Sequence, residues 1–149
     1  MSYPEQKTDT GRAVTSTKVM TNGDTLFTIS GGAILIVGLT SYCVTTGTPA
    51  ASTVQYNFVP LVGAAATFSG ASASLISAVA GSSLLVADVQ TTAPTFVVSG
   101  ANNQNTYPIG IFCPPGDIRI IVGTGPTTGT WHHHLLYRAL ENSVYITAS

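Results

Sequence analysis

Three stretches of this sequence alternate between apolar and other residues, and that period of two limits the fold more than any other feature. In the first, Val54, Tyr56 and Phe58 share one face, with Gln55, Asn57 and Val59 on the other. In the second, Ile118, Ile120 and Val122 point one way. In the third, Trp131, His133, Leu135 and Tyr137 fall on one side and His132, His134, Leu136 and Arg138 on the other. A strand sends successive side chains to opposite faces, so each run reads as a strand with one face against a core.

The rest of the chain is consistent with these runs. Leu26 to Ile29 alternates and is broken by Gly31-Gly32. Ala33 to Tyr42 carries apolar groups on both sides and reads as a strand buried on both faces. Pro60 must end the strand over Thr53 to Val62 or lie on an edge, because proline cannot donate to a ladder. Thr67-Phe68, Leu84 to Val86, Thr95 to Val98, Thr106 to Cys113 and Val144 to Ile146 read as further strands. Pro114 to Asp117 is a strong turn signal, since proline presets φ and glycine supplies the unusual conformation. The Ala- and Ser-rich segment Ala71 to Ala80 admits a short helix, with Leu75, Ile76 and Val79 three or four residues apart. Roughly nine short strands with Gly, Pro and Thr turns predict an all-β domain, a β-sandwich or jelly roll.

The length of 149 residues suits one domain. Residues 1–23 read as an extended N-terminal arm, polar and without core periodicity, and residues 24–149 as the sandwich. Six of the eleven formal charges precede residue 25, and none occurs between Asp24 and Asp88. Only 7% of residues are charged, against about 25% in an ordinary soluble domain. A surface so poor in charge points to burial against other protein chains. The arm, with Lys7, Arg12 and Lys18 as charged contacts, is expected to tie each subunit to a neighbour or to a shell it binds, and to contribute little to the fold itself. The net charge of −1 offers no basic field for nucleic acid. The longest apolar run, Ala33 to Leu39, is far short of a membrane span, and no signal peptide is read in the polar stretch Met1 to Met20.

No chemistry-bearing constellation emerges. Cys43 and Cys113 lack metal or redox spacing and read as small buried hydrophobes, reduced in a cytosol. His132 and His134 form an i, i+2 pair on one strand face, which can chelate a metal. Zinc would need further ligands, and only symmetry-related copies could supply them. Otherwise Trp131, His132 and His134 are candidate surface contacts. There is no nucleophile elbow, no paired carboxylates and no phosphate-binding loop. We therefore expect no catalytic residue, no cofactor and no metal.

Three segments carry a resemblance. TLFTISGG (25–32) runs into the apolar strand 33–40, PGDIRI (115–120) forms a turn and strand, and TTGT (127–130) precedes LLYRAL (135–140). Together they resemble small virion structural proteins of tailed bacteriophages, the head decoration or cement proteins. The three histidines and the acid-poor middle of the chain depart from that pattern. The resemblance implies a noncatalytic homotrimer on the capsid exterior, assembled in the host bacterial cytoplasm and bound to the major capsid protein. The rival expectations are a phage tail or baseplate component, and a carbohydrate-binding module using Trp131 or Tyr107.

Overall fold

The computed structural model describes residues 12–47, 51–86, 93–98, 110–123 and 129–149. These hold eleven strands in two antiparallel sheets and no helix. In chain order the strands are β1 (Arg12–Val19), β2 (Thr25–Ser30), β3 (Ile34–Thr46), β4 (Thr53–Pro60), β5 (Ala66–Thr67), β6 (Ser83–Leu85), β7 (Thr95–Val97), β8 (Ile111–Cys113), β9 (Gly116–Gly123), β10 (Gly129–Ala139) and β11 (Tyr145–Ala148). The first sheet runs β1-β10-β3-β6-β7, with β8 also on β3; the second runs β11-β2-β9-β4-β5.

The pairing follows a nested rule. β1 pairs β10, β2 pairs β9, β3 pairs β8 and β4 pairs β5. The nested pairs alternate between the sheets, while β10–β3 and β9–β4 join them within each sheet. That is the order of a jelly roll, to which β6 and β7 are inserted and β11 appended.

The core lies between the sheets and is built from the predicted alternations. Val54, Tyr56, Phe58, Ile118, Ile120 and Val122 are buried from the second sheet, and Trp131, His133, Leu135 and Tyr137 from the first. β3 departs from its expected two-sided burial. Leu136 lies opposite Gly38 and Tyr137 opposite Ile36, so Val37 is an extra residue. This bulge resets the alternation: Ile34, Ile36, Leu39, Ser41 and Cys43 all face the core, while Leu35 and Val37 are only half-buried. Two turns at one end lock together. The Ala33 amide donates to Glu141 Oε2 at 2.6 Å, and Ser143 Oγ donates to the Gly31 carbonyl at 2.8 Å.

Two further expectations are corrected. The arm does not extend to residue 23: Arg12–Val19 pairs with β10 along its whole length, and Met20 is fully buried. Its polar sequence hides a strand because β10 supplies the hydrogen bonds that an isolated arm would lack. The segment 71–80 is irregular, not helical. Ser72, together with Ser69 just before the segment, bonds the β4 backbone instead. Ser69 Oγ accepts from the Tyr56 amide and Ser72 Oγ from the Val54 amide, both at 2.9 Å. The Leu75 amide donates to the Ser52 carbonyl at 2.8 Å. Serine side chains compete with helix hydrogen bonding in this way. Of the strand expected over 106–113, Ile111–Cys113 forms, and 106–109 lie outside the described residues.

Candidate functional site

β10 carries three histidines in succession, and the pleat separates them. His132 and His134 stand on the outer face of the first sheet, half-buried, while His133 faces the core with no exposed surface. The register places Tyr42 of β3 opposite His132. Tyr42 Oη lies 3.0 Å from His132 Nδ1. The Tyr42 ring stacks on His134, with centroids 5.4 Å apart and planes 11° apart. The result is a three-ring cluster on the face that also carries the exposed Arg138. Burial, and then the nearby His132, lower the pKa of His134 below the ordinary imidazole value.

Beneath this cluster a polar relay crosses the core. Ser41 Oγ lies 2.7 Å from His133 Nδ1 and 2.8 Å from Tyr56 Oη. It links β10 and β3 of the first sheet to β4 of the second. Burial chiefly, then His134, Lys18 and His132, push His133 down to about 3, and burial pushes Tyr56 up to about 12. Both stay neutral. The three groups have one hydrogen too many for their acceptors. If Nδ1 accepts from Ser41, the buried Nε2–H has no partner; if Nδ1 donates, one hydroxyl hydrogen of the Ser41–Tyr56 pair is left over. A serine within 2.7 Å of an imidazole has the reach of a nucleophile and base. Here both are buried and the serine is already held by Tyr56, so a substrate cannot approach Oγ in this arrangement.

One end of the sandwich exposes large apolar side chains. The turn after β4 exposes Leu61 at 80% and Val62 at 91%, and Phe112 of β8 is 62% exposed. Pro60, Leu61, Val62, Pro114 and Pro115 line a cleft of about 190 Å³ there. The Leu61 amide donates to the Pro115 carbonyl at 3.0 Å and ties the two turns. Gly116 permits this approach, because a Cβ there would strike the Val59 carbonyl oxygen. Several of the described charges are engaged within the chain. Lys18 Nζ donates to the Thr25 carbonyl at 2.8 Å, Arg119 pairs with Asp117 at 3.0 Å, and Glu141 caps Ala33.

The predicted site residues thus separate. Trp131 is 1% exposed and is a core residue, not a surface contact or a sugar platform. The strand face that buries His133 buries Trp131 as well. Lys18 is committed to Thr25, within its own chain. Arg12 lies in β1 opposite Tyr137, and Lys7 and Tyr107 lie outside the described residues. His132 and His134 do share a face, as the spacing required. Cys43 and Cys113 are both free and buried, and burial raises both thiol pKa values, Cys113 to about 12. Tyr42, Ser41 and the Leu61–Val62 tip were not singled out. Tyr42 and Ser41 meet the histidines only through a cross-strand register more than eighty residues away. The tip had a signal in two consecutive large aliphatics after Pro60. No family model, curated protein or solved structure matches the chain.

Proposed function

We propose that this chain is a noncatalytic structural protein of a tailed-phage particle, which binds the outside of the assembled head as a homotrimer and holds neighbouring major capsid subunits together. The observation that carries the reading is the apolar end of a jelly roll: Leu61, Val62 and Phe112 stand in water on a chain with few charges. An exposed apolar patch is a liability unless a partner covers it. The jelly-roll order and the phage-like segments of the sequence support the choice of partner. A clamp that binds only the assembled lattice stabilises that lattice by mass action. Linking three such ends in one trimer raises avidity by about 10²–10⁴ without any new contact.

Light scattering of the purified chain should report a trimer, or a monomer that trimerises on the shell; a closed dimer at every concentration contradicts the proposal. Immunogold labelling of particles should decorate heads. Gold confined to the tail selects the tail or baseplate reading instead. One observation favours a carbohydrate-binding role: Tyr42 is 40% exposed on the outer sheet face beside two imidazoles. Binding on a glycan array that is lost in Tyr42→Ala would select that reading.

A further inference from the structure

We propose that His132 and His134 form a surface site for a borderline divalent transition-metal cation, Cu²⁺ foremost, on the outer face of the first sheet. The two imidazoles lie two positions apart on β10, with ring centroids 6.1 Å apart. A metal held at ~2.0–2.1 Å by one nitrogen of each ring requires centroids roughly 4.5–5.3 Å apart. Side-chain rotation on a fixed strand supplies a closure of about 1 Å, since terminal histidine torsions are broad.

Tyr42 orients both rings. Its hydroxyl is 3.0 Å from His132 Nδ1, and its ring stacks on His134 at 5.4 Å. With Nδ1–H donating to the tyrosine oxygen, His132 Nε2 carries the lone pair that a metal needs. A ligating histidine whose other nitrogen donates to an oxygen is the usual outer-shell arrangement at metal sites.

The ligand set selects the cation. Among the described residues no group of three or more His, Cys, Asp or Glu gathers. Structural zinc wants four protein ligands, and calcium and magnesium want oxygen. Cu²⁺ stands highest among the divalent first-row ions and accepts two imidazoles with water in the remaining tetragonal positions.

The test is a titration of the full chain with Cu²⁺ in a weakly coordinating buffer at pH 7.5, followed by calorimetry and electron paramagnetic resonance. We expect one Cu²⁺ per chain with nitrogen hyperfine structure. His132→Ala and His134→Ala should each weaken binding at least tenfold, and Tyr42→Phe about tenfold, the usual effect of an outer-shell partner. Circular dichroism checks folding, and Gln replacements, which keep volume and hydrogen bonding, replace any Ala variant that melts early. Unchanged affinity and stoichiometry in the doubly substituted chain would overturn the proposal, as would a spectrum with oxygen ligands alone.

Discussion

Lowering the pH from 7 to 5 should remove about 2 kcal/mol of stability through His133 alone. This side chain is fully buried and neutral, with its pKa pushed from 6.5 down to about 3. Unfolding exposes the ring to water and restores the ordinary value. Between pH 6.5 and about 3 the unfolded chain therefore holds one proton more than the folded one. Stability rises with pH wherever the unfolded state binds more protons, so the contribution is full above 6.5 and declines as pH falls. At ~1.4 kcal/mol per pH unit the loss is about 2 kcal/mol at pH 5 and about 3 kcal/mol at pH 4. The assay is urea unfolding at pH 7, 6, 5 and 4 for the native chain and for His133→Asn. Asparagine keeps a polar atom near Ser41 and does not titrate. Other acid-sensitive groups cancel in the difference between the two curves. The advantage of the native chain should shrink by about 2 kcal/mol between pH 7 and pH 5. A gap that stays flat across this range would refute a buried neutral His133.

Deleting residues 2–20 should lower the melting temperature strongly, because it removes β1 and the buried Met20; Met20→Ala alone should cost ~2–5 kcal/mol by denaturant unfolding. An unchanged melting temperature after the deletion would restore the view of this segment as a mere arm. Gly31→Ala should destabilise by at least ~1–3 kcal/mol, because φ there is 81° and a Cβ would meet the Ser143 carbonyl oxygen. Leu61→Asp with Val62→Asp should leave the melting temperature within ~0.5 kcal/mol equivalents of the native chain, since both side chains are exposed, and should abolish co-sedimentation with assembled heads.

What the sequence disclosed follows from the range of each signal. The inward faces of β4, β9 and β10 were legible because alternation is local and each strand buries one face. The bulge in β3 was not, because Val37 is extra only relative to the β10 register. β1 was misread for a related reason. Its Thr, Ser and Lys residues suit an edge strand as well as a solvated arm, and pairing with a strand more than a hundred residues away decides between them. Segment 71–80 looked helical by spacing, yet Ser72 and the preceding Ser69 satisfy the β4 backbone, which no local pattern reveals. The histidine pair was visible on one face, but Tyr42, which orients both rings, came only with the fold. Trp131 was conspicuous by type and misleading in place, because its own alternation puts it in the core.

The most direct test of the proposed head role is a density map of a phage particle assembled with this chain. We expect a jelly roll on the outer surface of the head in groups of three at local threefold positions, with the Leu61–Val62 end pressed against major capsid subunits. Heads without such density, or the jelly roll found in the tail or on no part of the particle, would contradict a role in holding the capsid together.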